Sequence, residues 1–218
     1  MQFTSSLLLF VIVATSAFAQ AEDIHSTAKA VDDHYNHLRT LQAEFTQIYR
    51  GNDTERTESG TLWLKKPGKM RWEYRSPKEK LFLSDGKNAW FYVPGDRQVR
   101  KTSVSKLEDL RSPLALLLGK TKLERELDGL SNAPDIAPLA ARDTVLRGVP
   151  KALAERVGQV VLEITPERHI ARIIIEEIDG TATEYRITNQ QEDRELAEDR
   201  FRFVPPPGTE VIEGQFGQ

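Results

Sequence analysis

The alternation of apolar and polar positions divides the chain into one amphipathic helix followed by a long succession of strands. Residues 23 to 39 have no early breaker and place Ile24, Ala28, Val31, Tyr35 and Leu38 at helical spacing. That pattern predicts a helix with one buried stripe and a polar outer face. The period then falls to two. Leu62 and Leu64 share one face of a strand, and Met70, Trp72 and Tyr74 alternate with Arg71, Glu73 and Arg75. Such a strand buries an apolar face and turns a charged one outward. Val160, Leu162 and Ile164 alternate again, as do Phe201 and Phe203, and Pro205, Pro206 and Pro207 are expected to end the last strand.

Asp-Gly pairs separate these runs. Asp85-Gly86 lies between Leu81–Leu83 and Ala89–Val93, and Asp179-Gly180 between Ile170–Ile178 and Ala182–Ile187. Both predict tight hairpins. Strands joined by hairpins, without repeated long helices, form an antiparallel sheet. A sheet with this many strands twists and curls into a barrel or half-barrel. The fold class read from the pattern is therefore mainly β, with accessory helices. The stretch from Gly129 to Pro138 is the nearest thing to a linker and is too short to mark a boundary.

Residues 103 to 128 break the strand pattern. Ser112-Pro113 reads as a helix start and Gly119 as a stop, with Leu114, Ala115, Leu116, Leu117 and Leu118 between them. Leu107, Leu110, Leu123 and Leu127 flank the segment. A surface connection should not be this apolar. The segment reads either as a plug filling one mouth of the barrel or as a movable lid over an apolar cavity.

Composition excludes several chemistries. The 218 residues carry 30 basic and 33 acidic side chains, a net charge of −3, and these are well mixed, with no basic stripe for nucleic acid. With no cysteine there is no disulfide, thiolate nucleophile or cysteine-based metal site, and no residue for an envelope-lipoprotein anchor. His34 and His37 share a helix face next to Asp32 and Asp33, which reads more simply as a solvated polar face than as a metal site. His169 stands apart in sequence. Gly119-Lys120-Thr121 has Leu114 where a phosphate-binding loop needs glycine. No nucleophile, base and orienting group converge, so no enzyme and no cofactor are expected.

The N-terminus reads as a cleavable export signal. Leu7 to Val13 is apolar and Ala17-Phe18-Ala19 supplies the small residues of a cleavage site after Ala19. The apolar run falls short of the ~20 residues that span a bilayer. The expected division is a signal peptide over residues 1–19 and one domain over 20–218, soluble in the periplasm.

A set of short motifs, in order, carries a resemblance. Phe45-Thr46-Gln47, Ser59-Gly60-Thr61-Leu62-Trp63, Lys66-Pro67, Met70-Arg71-Trp72, Ser84-Asp85-Gly86, Trp90-Phe91-Tyr92 and Gln98-Val99, with Phe201-Arg202-Phe203-Val204-Pro205-Pro206-Pro207-Gly208 near the end, resemble the periplasmic lipoprotein carrier family LolA. The resemblance implies an open antiparallel half-barrel with an N-terminal helix and short lid helices over an apolar cavity. It implies acylated lipoproteins as cargo, an inner-membrane lipoprotein-releasing transporter as donor and an outer-membrane receptor as acceptor. Met70 and Trp72 would line the acyl-chain cavity, with Leu62, Leu64 and Tyr74 on the matching strand faces. Leu114, Leu116, Leu117 and Leu118 would belong to the lid. The family often has Arg before the proline corresponding to Pro67, where it latches the lid; here Lys66 stands there. An ammonium lacks the planar fork of a guanidinium, so either Lys66 or Arg71 is the expected latch. A monomer is expected. Two other readings stay open: a periplasmic carrier of another lipid, and a lipid- or peptide-sensing domain on the same fold.

Overall fold

A computed structural model describes residues 23–104 and 122–214. The export signal, the predicted helix after Ser112 with its leucines, and Gly119-Lys120-Thr121 lie outside the described residues.

Helix α1 (Ile24–His37) begins at Asp23, whose carboxylate accepts the amide of Ser26, and buries Thr27, Ala28, Val31 and Tyr35. Its polar positions face outward, as the spacing requires. The strands follow: β1 (Thr40–Gly51), β2 (Thr54–Lys65), β3 (Lys69–Ser76), β4 (Lys80–Asp85), β5 (Asn88–Tyr92) and β6 (Gln98–Ser103). After the short helix α2 (Leu123–Glu126) come β7 (Leu127–Asn132), β8 (Thr144–Pro150), β9 (Val157–Ile164), β10 (Ile170–Glu177), β11 (Ala182–Glu192) and β12 (Glu210–Glu213). All join one 12-stranded sheet in the order β12-β6-β5-β4-β3-β2-β1-β11-β10-β9-β8-β7. The ends, β12 and β7, do not pair, so the sheet stays open.

Two meanders meet at the long strand β1, which pairs with β2 on one side and β11 on the other. The turns show why the register is fixed. Asp85 Oδ1 accepts the amides of both Lys87 and Asn88 while Gly86 takes φ +92°. Asp179 Oδ1 accepts from the Thr181 amide and hydroxyl, with Gly180 at φ +86°. Both are the hairpins expected from Asp-Gly. The β1–β2 turn uses Asn52 and Asp53 at φ +50° and +57°, the paired left-handed geometry of a type I′ turn without glycine.

One face of the sheet is the inner face. Leu62, Leu64, Met70 and Trp72 from one meander and Leu146, Leu162 and Ile173 from the other join Ala28, Val31 and Tyr35 of α1 in a single core. The helix therefore lies against strands from both meanders. It also meets α2, where the Asp32 carboxylate accepts the Leu123 amide at 2.9 and 3.1 Å and Leu123 joins the same core.

The outer face is covered in two places. On β2, Trp63 packs with Leu196 and Phe201, and its Nε1 donates to Gln42 Oε1 at 2.9 Å. On β8–β10, Ala133 and Ile136 of the loop after β7 cover Val145, Val161 and Ile174. The loop is pinned by the buried pair Arg172–Glu163 at 2.6 Å, with Arg172 also donating to Ala137 O. The stretch from Gly129 to Pro138 is thus strand β7 and the start of this outer cover.

The C-terminal expectation needs correcting. Phe201 ends a 3₁₀ turn (Glu198–Phe201), and Phe203 lies in unpaired backbone with its ring 6.2 Å from Trp90 and 5.7 Å from Tyr92. Two aromatics at i and i+2 mimic a strand because both rings reach the same outer surface. The chain then passes the three prolines and adds β12, the one parallel strand among the described residues, beside β6.

Candidate functional site

The inner face of β2–β5 carries a continuous apolar row. Cross-strand registers place Leu62 opposite Trp72, Trp72 opposite Phe82 and Phe82 opposite Phe91. Leu64 and Met70 form the next pair. Residues directly opposite on an antiparallel ladder share a face, so these side chains form one surface. Leu62, Leu64, Met70 and Trp72 are 0–8% exposed, and Tyr74 is partly buried against the same core. The structure brings together all five residues that the sequence and the resemblance placed on the cavity.

Aromatic rings cluster at one end of this surface. Phe45 lies 4.6 Å from Trp72 and 4.9 Å from Tyr74, edge-on to the latter, and Tyr185 of β11 is 6.0 Å from Trp72. Gly60 sits opposite both Phe45 and Tyr74. Any Cβ there would lie 1.8 Å from the Glu73 carbonyl oxygen, so only glycine allows β3 to approach this closely. Burial pushes the Tyr185 phenol up to about 12 and raises that of Tyr74 further; the Tyr74 hydroxyl donates to Gln47 Oε1 at 2.8 Å. Both phenols are neutral, polar-tipped walls. Trp72 Nε1 is buried with no hydrogen-bond partner among the described residues. It is an unused donor on an otherwise apolar face.

Sequence reasoning missed Phe82, Phe91 and Tyr185 as members of this surface. Phe82 and Phe91 alternate correctly within their short strands, but the row exists only once three registers are known.

The two latch candidates part company. Lys66, in the β2–β3 turn, donates its Nζ to the Tyr35 carbonyl near the C-terminus of α1. Burial lowers its pKa below the ordinary lysine value. A cation there satisfies a terminal carbonyl and the helix dipole together. Arg71 pairs with Trp63 in register and so faces outward. Its guanidinium binds Glu73 and the Arg200 carbonyl, holding the C-terminal segment to the outer face. Beside it Glu198 is held down to about 2 by Lys65 and Lys69. The leucines Leu114, Leu116, Leu117 and Leu118 lie outside the described residues.

The chain thus presents an open, largely antiparallel sheet with an apolar, aromatic-rich inner face packed with a helix. The family model of the outer membrane lipoprotein carrier protein LolA matches residues 36–204, and the chain belongs to that family. A relative from Nitrosospira multiformis, named outer-membrane lipoprotein carrier protein, is 29% identical and aligns with 80% of this chain and 82% of its own. One of the same name from Chromobacterium violaceum is 31% identical over 81% of this chain and 82% of its own. Among solved structures, an uncharacterized conserved protein from Thermus thermophilus shares the fold, with a TM-score of 0.54 at 12% identity, over 86% of this chain and 99% of that one. Family membership places the chain among lipoprotein carriers of the periplasm. No described helix is long and apolar enough to cross a membrane.

Proposed function

We propose that this chain is a soluble, monomeric periplasmic carrier, released by cleavage after Ala19. It shields the acyl chains of lipoproteins between an inner-membrane transporter and an outer-membrane receptor, without catalysis. The observation that carries this reading is the apolar row Leu62–Trp72–Phe82–Phe91, flanked by Leu64, Met70 and Tyr74 on one face. An acyl chain in water costs about 0.8 kcal/mol per CH₂, or roughly 13 kcal/mol for sixteen carbons. A carrier must replace most of that burial, and only a surface of this size and character can.

Leu62, Leu64, Met70 and Trp72 are already buried in one core with α1, while Tyr74, Phe82 and Phe91 are partly buried, so an acyl chain reaches the whole row only when a cover is displaced. That requirement supports release without an energy source. Closing over the empty face subtracts from the affinity, leaving cargo free to move to a receptor. In this reading Lys66 is the latch, gripping the end of α1, and Leu114, Leu116, Leu117 and Leu118 are lid residues. Trp72 Nε1–H supplies a donor for an ester carbonyl of the cargo.

The test uses spheroplasts of the native host carrying newly made, labelled lipoproteins. Mature protein added outside should bring label into the soluble fraction as a stable complex. If no label is released, while the same spheroplasts release it to a carrier already known to work with them, the reading fails.

A further inference from the structure

His34, His169 and Glu192 are far apart in sequence and meet at one end of the sheet. His34 lies in the last turn of α1, His169 just before β10, and Glu192 at the end of β11. His34 Nε2 is 2.8 Å from Glu192 Oε1, and His169 Nε2 is 3.3 Å from the same oxygen. The imidazole centroids are 5.2 Å apart, and all three donor atoms lie within 4.8 Å of one another. The side chains are 22%, 31% and 24% exposed, which leaves solvent access to the point where they converge.

The backbone behind the trio is held by a second network. The buried Tyr35 hydroxyl accepts the Ile170 amide at 2.9 Å and donates to Gln190 Oε1 at 3.4 Å. Gln190 Nε2 in turn donates to the Ile170 carbonyl at 3.0 Å. Tyr35 adjoins His34, Ile170 adjoins His169, and Gln190 is two residues from Glu192. His34 and His169 thus each adjoin a residue fixed by one hydroxyl network and Glu192 lies two residues from one, and metal sites depend on such support.

We propose that His34, His169 and Glu192 form a site for a divalent transition metal of the zinc class. Two neutral imidazoles and one carboxylate suit Zn²⁺ and its neighbours, not Mg²⁺ or Ca²⁺, which prefer oxygen ligands. A tetrahedral ion with ligands at about 2.0–2.1 Å spaces its donors roughly 3.4 Å apart, so closure needs shifts of about an ångström or less. Water takes the fourth position. Bound metal clamps the C-terminal end of α1 to β10 and β11, across the inner face. The other helical histidines do not contribute. His37 Nδ1 bonds the Asp33 carbonyl at 2.7 Å, and His25 pairs with Glu124 at the exposed start of the helix.

The test takes tag-free mature protein, freed of metal with a chelator, and titrates ZnCl₂ in competition with a chromophoric chelator. Co²⁺ in place of Zn²⁺ reports the coordination geometry by its visible spectrum. The expected result is one equivalent bound, with intense tetrahedral-type Co²⁺ bands and a raised thermal midpoint. His34→Gln and His169→Gln should each weaken binding by at least about tenfold and abolish those bands, while His37→Gln changes neither. The metal-free thermal midpoint of each variant checks that it is folded. Absence of saturable binding by the wild-type chain overturns the proposal. So does a Co²⁺ spectrum like that of the aqueous ion, or equal binding by the wild type and a folded His169→Gln variant. None of these outcomes bears on lipoprotein release, which is measured separately.

Discussion

Lys66→Met tests whether the grip on α1 governs access to the inner face. The lysine makes a charge-assisted hydrogen bond to the Tyr35 carbonyl from a partly buried position. Such bonds contribute about 1.5–3 kcal/mol, and partial solvent access argues for the lower end. Methionine fills a similar volume without the donor. Losing about 1.5 kcal/mol from the closed form raises the open population roughly tenfold. Where only the open form binds, apparent affinity rises by the same factor. Titration of a fluorescent acyl probe should therefore show about tenfold tighter binding by Lys66→Met, with Lys66→Arg close to wild type. Amide exchange over α1 should quicken in parallel. Release of lipoproteins to an acceptor should slow, since a tighter carrier gives up cargo less readily. Unchanged affinity together with unchanged α1 exchange would refute the latch.

Three further outcomes follow from the packing. Gly60→Ala drives a methyl against the Glu73 carbonyl, and chemical denaturation should show a loss of about 1–3 kcal/mol or more, with the aromatic cluster of Phe45, Trp72 and Tyr74 disturbed in near-ultraviolet dichroism. Glu163→Gln strands Arg172, which is 9% exposed, and should cost about 3–5 kcal/mol in the same assay, whereas Glu163→Leu with Arg172→Leu should recover much of it. Asp32 is raised from 3.8 to about 6, chiefly by burial, although it accepts the Leu123 amide. Its folded form binds the proton more tightly than the unfolded chain, so its ionisation removes stability as pH rises from about 4 through 6. Asp32→Asn should therefore be the more stable protein at pH 7, by on the order of 1 kcal/mol after solvent screening, and should lose that advantage below pH 4. A thermal-midpoint profile that stays parallel to wild type across this range would count against that assignment.

The sequence made the elements near β3 plain because each signal there is local. Met70, Trp72 and Tyr74 alternate without interruption, and Asp85-Gly86 and Asp179-Gly180 announce their turns. The five residues expected on the cavity were placed by the same alternation joined to the resemblance, and they share one face of the sheet. What escaped depends on partners distant along the chain. Arg71 and Lys66 look alike as latch candidates until the register of β2 with β3 sends one outward and leaves the other beneath α1. The β1–β2 turn has Asn52 and Asp53, not glycine, at its two central positions, so that hairpin lacked the Asp-Gly marker of the other two. Phe201 and Phe203 keep a strand's period while lying outside the sheet, and the three prolines looked like an end because a parallel strand after them could not be read from local pattern. His169 looked solitary because its neighbours, His34 and Glu192, come from other elements.

A sheet that never closes leaves two rims at which another chain could continue the ladder. Here both rims discourage it. At one, four residues of β12 lie parallel to β6, with Glu210 and Glu213 putting acid on a short border. At the other, the β7 ladder breaks between Asp128 and Ser131, where Gly129 turns to φ +62°. Short, charged or bulged borders resist strand addition. In the proposed carrier cycle, a molecule that uncovers an apolar surface repeatedly would thus keep its backbone unavailable while it does so, and expose grease without offering a template for aggregation.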